Sequence, residues 1–338
     1  MMKAAYIEET GPPERIVFGE VKRPNPSRGQ VLVRVGAASL NPIDTYVRSG
    51  LVAMELPQPY VLGCDLAGTV EAVGANVTAF EPGQRVWGSN QGLLGRQGTF
   101  SEYVSVDTEW LYPTPDGVDD MEAAAMALVG ITAHLGLVHR GRLQAGETVF
   151  VNGGSGGVGS AVVQISKCLG AGRVITTAGN STKAAICKQL GADEVILYKK
   201  QNVLEEVQRL APDGVNLWWE TVRQPKLDDA TVAMARDGRI IVMAGRDAIA
   251  ELPVGPFYAK GCSLLGFVMF MVPAEVQATC AEDINRWMAE GSLKPLIDRV
   301  MPLSKTAEAH RLQEDSTVGG SGGLAGKIIL QPDGEKLG

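Results

Sequence analysis

The segment Thr148-Val149-Phe150-Val151-Asn152-Gly153-Gly154-Ser155-Gly156-Gly157-Val158-Gly159 carries the strongest structural signal in the chain. Four apolar or β-branched residues lead into a glycine-rich turn, and Ser160 to Leu169 then read as a helix. Gly154, Gly156 and Gly159 stand at the spacing GxGxxG. That spacing is weak evidence alone. Set between a strand and a helix, with another strand to follow, it marks a turn that receives a pyrophosphate. The linked phosphates must approach main chain where side chains would collide, and they rest on the unpaired N–H groups that open a helix. A purely structural glycine turn is the bland alternative. The contacts expected from this segment are Gly154, Ser155, Gly156, Gly157, Val158 and Gly159.

Working outward, strand and helix alternate. Arg173–Thr177, Glu194–Tyr198, Val215–Trp219, Arg239–Met243 and Ser263–Phe267 read as strands. Ser181–Leu190, Asn202–Leu210 and Pro225–Ala235 read as helices between them. Repeated β-α units predict a doubly wound, mostly parallel sheet. Upstream, Met121–Gly136 is rich in Ala, Met and Leu and reads as a helix. The first third differs in texture. Short runs such as Val31–Val35, Leu66–Val73 and Arg85–Trp87 are separated by Gly/Pro punctuation, which suggests a compact β-rich unit. The tail carries a helix over Ala274–Glu290, a flexible loop at Gly319–Gly323 and a last strand over Lys327–Leu330.

Composition narrows the function classes. The chain has 338 residues, enough for about two domains. Apolar residues make up 45% and charged residues 20%, so a large core is available and a disordered chain is excluded. Thirty-one basic against 38 acidic side chains give a net charge of −7, which argues against a nucleic-acid partner. No run approaches the roughly 18 consecutive apolar residues of a membrane span, and Leu264–Val272 is read as the richest. The N-terminus has no signal-peptide pattern, and five widely spaced cysteines form no CxxC pair. A cytoplasmic protein with reduced thiols is expected.

The nucleotide can be narrowed further. An NAD site wants a carboxylate roughly 20 residues past the glycine motif, for the ribose 2′-hydroxyl. Here that stretch is Thr176-Thr177-Ala178-Gly179-Asn180, without an acid, followed by Ser181, Thr182 and Lys183. Tyr198 ends the next strand on the same side. No acid repels a 2′-phosphate, and one cation is at hand, so NADPH is the expected cofactor, with Gly179, Lys183 and Tyr198 at its adenosine end. A solvated first-turn lysine is the alternative for Lys183. A catalytic zinc ion is not expected. Such a site needs three converging ligands, but the only histidines, His134, His139 and His310, fall outside the β-rich third. Cys64 reads as a small buried residue.

Several further segments carry a resemblance: Asn41-Pro42-Ile43-Asp44-Thr45-Tyr46-Val47-Arg48-Ser49-Gly50, Gly63-Cys64-Asp65-Leu66-Ala67-Gly68, Gly98-Thr99-Phe100-Ser101-Glu102-Tyr103 and Ala325-Gly326-Lys327. With the glycine loop, they resemble the zinc-free quinone oxidoreductases of the medium-chain dehydrogenase/reductase superfamily, the ζ-crystallin type, over nearly the whole chain. In zinc-bearing relatives the middle of Gly63-Cys64-Asp65 is His. The resemblance implies an α/β protein with a Rossmann doubly wound parallel sheet inserted into a GroES-like β-rich domain. Residues 1–122 and 268–338 would form the catalytic domain and 123–267 the NADP-binding domain. It implies a homodimer, Lys183 and Tyr198 at the 2′-phosphate, and Lys327 at the cofactor. Departures are Val52, where many relatives carry tyrosine, Gln84 in Gly83-Gln84-Arg85-Val86, and a long Asp315–Gly323 segment.

Without a metal, a developing oxyanion needs hydrogen-bond donors. By family position these are Asn41, a neutral amide, and Tyr46, whose hydroxyl can donate or act as a weak acid. The alternatives are that Asn41 caps a turn before Pro42 and that Tyr46 packs in the core. Thr132 is a candidate cofactor contact. Ala244, Gly245, Arg246, Phe267 and Val268 lie at carboxyl ends of sheet strands and should face the nicotinamide. Phe267, Met269, Phe270 and Met271 either line the acceptor pocket or form packing. The expected activity is reduction of a small quinone, or another electrophilic carbonyl acceptor, by NADPH. An enone, alkenal or enoyl-thioester reductase is the enzymatic alternative. A cofactor-binding structural or regulatory protein with little turnover is the alternative of another class.

Overall fold

The structure, a computed structural model, describes residues 1–332. The chain divides into two compact units: residues 1–128 with the segment from Pro273 onward, and Val129–Val272. The first boundary falls six residues later than the sequence suggests, because the helix Asp120–His134 runs unbroken through position 122. The second falls after the short turn Met269–Met271 rather than before it.

The second unit is the α/β unit. Its six strands lie in the order Glu194–Leu197, Arg173–Ala178, Thr148–Asn152, Val215–Glu220, Met234–Val242 and Ser263–Gly266. Every pairing is parallel. Numbered along the chain, the order is 3-2-1-4-5-6, that of a doubly wound dinucleotide fold. Val149, Phe150 and Val151 are wholly buried, as an interior parallel strand requires. Trp218 lies against Phe150 with ring centroids 4.0 Å apart, so it is packing, as its position on a central strand suggests. The expected helix Pro225–Ala235 is shorter, Leu227–Ala233. Met234 already pairs with Val215, so the chain is committed to the sheet before the helical pattern ends.

The first unit is β-rich. A seven-stranded sheet centres on the long strand Gln30–Leu40, flanked by Asp65–Val73 and by the C-terminal strand Lys327–Gln331. The last pairing is antiparallel and sets Ile328 opposite Leu40. Gly326, at φ +94°, makes the entry to that strand. A Cβ there would stand 2.0 Å from the Leu296 carbonyl oxygen, so only glycine fits. A short helix, Pro42–Ser49, follows the central strand. It begins at Pro42 and stops at Gly50, whose left-handed φ of 81° ends it.

The most apolar long element is not Leu264–Val272. It is the helical run Asp120–Arg140, of mean hydropathy 1.6, long and apolar enough by composition to cross a membrane. Of its most apolar window, 78% is buried inside the protein, which is the condition of a core helix.

Candidate functional site

In the second unit, the glycine turn follows the central strand Thr148–Asn152 and opens the helix Gly157–Cys168. The first intrahelical bond is donated by Ser160 N–H to Gly156 O at 2.9 Å. The amides of Gly157, Val158 and Gly159 precede it, and no side chain caps the helix. The glycines differ in why they are needed. A Cβ on Gly159 would lie 2.1 Å from Gly153 O, and one on Gly154 would lie 2.2 Å from Thr176 Oγ1. Those two are demanded by the fold. A Cβ on Gly156 would meet only Gly153 O, at 3.5 Å, an ordinary contact. The protein's own packing leaves room for a side chain at Gly156, so a bound group explains its absence better than packing does. Ser155 is buried within the turn.

Behind the loop lies a polar brace that the sequence reading missed. Gly153 N–H donates to Thr177 Oγ1 at 2.8 Å, and Thr177 Oγ1 donates to Asn152 Oδ1 at 2.8 Å. Asn152 Nδ2 donates to both carboxylate oxygens of Glu220, at 3.0 and 3.1 Å. Burial pushes the Glu220 carboxyl up, against the pull of the Val222 N–H and of Asn152. The available signal was one polar residue at or near the end of each of three apolar strands.

Beyond the strand next to the central one, Gly179 and Tyr198 come together. Gly179 follows Arg173–Ala178, and a Cβ on it would stand 2.9 Å from the Tyr198 hydroxyl. Asn180 caps the helix Ser181–Gln189 by accepting from Lys183 N–H at 2.9 Å. Lys183 is half-buried and Tyr198 exposed. No acid stands in Thr176–Asn180. Thr132, on the helix Asp120–His134, is buried, and its hydroxyl has no hydrogen-bond partner among the described residues. One turn on, Gly136 lies against the Trp219 ring, where a Cβ would collide at 2.0 Å. Trp219 meets Phe267 edge to face, centroids 6.4 Å apart. Ala244 follows Met234–Val242 and leads into the turn begun by Gly245 and Arg246, which Ala248 N–H closes on Gly245 O at 2.8 Å; Phe267 and Val268 follow Ser263–Gly266. Met269 is buried and Met271 exposed.

In the first unit, Asn41 begins the helix Pro42–Ser49 and is 1% exposed. Its backbone N–H donates to Asp44 Oδ2 at 2.8 Å. Its side-chain amide donates to Asp65 Oδ2 at 2.7 Å and to Ser39 O at 3.2 Å, while Oδ1 accepts from Lys327 Nζ. Both amide hydrogens are therefore spent inside the protein. The expectation that Asn41 offers a donor to substrate is not met by this arrangement. The expectation that Lys327 points at cofactor meets the same difficulty: it is buried, and Nζ also donates to Leu40 O at 2.8 Å. Tyr46, one turn along the helix from Asn41, is half-buried rather than part of the core.

The residues beside Asn41 do not suit a zinc ion. The Cys64 thiol is wholly buried and is pushed well up by burial and by the Asp44 and Asp65 carboxylates. Asp65 Oδ1 accepts from Ser89 Oγ at 2.6 Å and Oδ2 is taken by Asn41. The Lys327 ammonium already acts on both carboxylates, and a dication would be repelled by it. Burial raises the Asp44 carboxyl to about 7 and lowers Lys327.

Known proteins resemble this chain over nearly its whole length. Residues 27–116 match the alcohol dehydrogenase GroES-like domain, and residues 157–286 match the family described as zinc-binding dehydrogenase. The chain is 33% identical over 332 residues, 98% of both chains, to the quinone oxidoreductase of Homo sapiens. It is 33% identical over 321 residues to a trans-enoyl reductase of Aspergillus terreus, covering 90% of this chain and 86% of that one. Among solved structures it is similar to an NAD-dependent alcohol dehydrogenase, with TM-score 0.86, 33% identity, and coverage of 98% and 99%. It is also similar to a mycobacterial protein complexed with NADPH, with TM-score 0.85, 28% identity, and coverage of 98% and 100%.

Proposed function

The chain belongs to the quinone oxidoreductases of the medium-chain dehydrogenase/reductase superfamily, and from that premise we propose that it reduces a small quinone with NADPH and without a metal ion. It is an oxidoreductase that uses a nicotinamide cofactor and a small-molecule substrate. NADPH, rather than NADH, is the reading the adenosine end supports.

The observation that carries the proposal is the loop itself: main chain bared at Gly156, where the fold does not require glycine, before three amides that open a helix. Gly157, Val158 and Gly159 N–H groups hold the pyrophosphate, helped by the positive end of the helix. Lys183 and the Tyr198 hydroxyl bind the 2′-phosphate, where an acid would repel it. The buried Thr132 hydroxyl, without a hydrogen-bond partner among the described residues, would donate to the bound cofactor. Bound NADPH supplies a hydride, and the protein's part is to orient and polarise. Tyr46 donates a hydrogen bond to the acceptor oxygen. A quinone asks little of that donor, because its reduction is already favourable.

The decisive experiment follows NADPH oxidation by purified protein with a panel of quinones, enones and enoyl thioesters. Turnover with quinones, and preference for NADPH over NADH, is expected; turnover with neither cofactor would overturn the proposal. A second reading, an enoyl reductase, is favoured by the trans-enoyl reductase relative. Quinone-silent turnover of the enoyl thioesters would select it. A homodimer goes with this reading. Ser263–Gly266 is an edge strand of its sheet, and Leu264, Val268 and Met271 beside it are exposed. Light scattering at the mass of one chain would exclude it. A cytoplasmic location accords with five unbridged cysteines.

A further inference from the structure

The first unit holds a buried set of ionisable groups that the proposed reaction does not use directly. Asp44, Cys64, Asp65 and Lys327 are each at most 4% exposed. Two carboxylates and one ammonium share the space, so the positive charge is what makes the arrangement tolerable. Asp65, wholly buried, is held by two side-chain donors. It accepts from Ser89 Oγ at 2.6 Å and from Asn41 Nδ2 at 2.7 Å, and Lys327 is the cation that acts on it. Lys327 reaches this place because its strand pairs with the end of Gln30–Leu40, 286 residues away from Asn41 in the chain. There Nζ grips two successive residues at the end of the central strand, the Leu40 carbonyl and the Asn41 side chain. Asn41 in turn opens the helix that carries Tyr46.

We propose that Lys327 is a positioning residue. Its buried ammonium, joined to Asp65 through the Asn41 side chain, offsets that buried carboxylate and clamps Leu40 and Asn41 so that the Tyr46 helix starts in a fixed place. Asn41 links the two charged groups: its Oδ1 accepts from Lys327 Nζ, and its Nδ2 donates to Asp65 Oδ2 at 2.7 Å. Lys327 touches neither substrate nor cofactor in this role. Only the effect on turnover rests on the quinone-reductase reading; the charge pairing does not.

The test is a double-mutant cycle on Lys327→Met and Asp65→Asn in the full-length protein, read by thermal unfolding, NADPH titration and steady-state kinetics. Each single change strands one buried charge and should lower Tm by at least roughly 5 °C. The double change removes the pair together and should lose clearly less than the sum of the singles. Asp44 stays tolerable in the double variant, since its carboxyl already sits at about 7 and can hold a proton. Lys327→Met should also cut kcat at least about tenfold. NADPH affinity should change less than about twofold, because the glycine loop belongs to the other unit. If Lys327→Met does not fold, the double variant must still fold. Additive losses of Tm, a double variant that fails to fold, or a loss of NADPH affinity as large as the loss of kcat would each overturn the proposal. Absence of quinone turnover in the unmodified protein would strike the functional reading alone and leave the Tm coupling to be judged by itself.

Discussion

Replacing Gly156 by alanine separates a ligand-binding glycine from a structural one. The added Cβ meets only Gly153 O, at 3.5 Å, and the backbone there has φ −81°, which any residue adopts. Two small effects on stability oppose each other. Alanine restricts the unfolded chain, worth about 0.4–1 kcal/mol in favour of the fold. It is a poorer N-cap than glycine by several tenths of a kcal/mol. The sum lies within about 1 kcal/mol of zero, a Tm change of only a few degrees. Binding should respond very differently. The methyl occupies the approach to the amides of Gly157–Gly159, and losing one hydrogen bond to a charged phosphate costs about 1.5–3 kcal/mol. That corresponds to roughly a 10- to 150-fold rise in Kd for NADPH. Fluorescence titration of NADPH alongside a thermal melt reads both quantities on one sample. Gly159→Ala is the contrast: its Cβ would lie 2.1 Å from Gly153 O, so it should destabilise the fold itself. A Gly156→Ala protein with native Kd would refute the cradle, and one that fails to fold would make the glycine structural.

Lys183→Ala should raise the Michaelis constant for NADPH much more than that for NADH; an equal rise for both would remove the lysine from the 2′-phosphate. Tyr46→Phe should cost less than about tenfold in quinone turnover, under about 1.4 kcal/mol, because the acceptor needs little acid assistance; a thousandfold loss would show that the hydroxyl performs demanding proton transfer. His310 is wholly buried with both ring nitrogens unpartnered among the described residues, and burial, reinforced by Arg48, pushes it down to about 3. Its unfolded value is 6.5, so the neutral ring's contribution is present above that pH and is lost as pH falls toward 3. Between pH 7.5 and 5 that amounts to about 2 kcal/mol, which His310→Leu should abolish. Urea unfolding at the two pH values measures it, and a wild-type-minus-variant difference that does not move with pH would rule it out.

The local parts of this protein were legible in its sequence. The glycine spacing, the strand before it and the helix after it are consecutive along the chain, and the contacts that shape the turn, such as Gly159 against Gly153, lie within a few residues. The alternation that follows is likewise a matter of neighbours, so the parallel doubly wound sheet and the absence of an acid near Gly179 could be read directly. The resemblance extended this reading to the β-rich unit. What needed the tertiary structure is whatever depends on distant segments meeting. Asn41 looks like a donor to substrate until the strand Lys327–Gln331 pairs beside Leu40 and spends its side chain on Asp65, Ser39 and Lys327. Asn152, Thr177 and Glu220 look like ordinary strand ends until three strands align them behind the loop. Spacing along a chain fixes which atoms one helix or turn can present, but strand register and burial, set by the whole fold, fix which of those atoms are already taken.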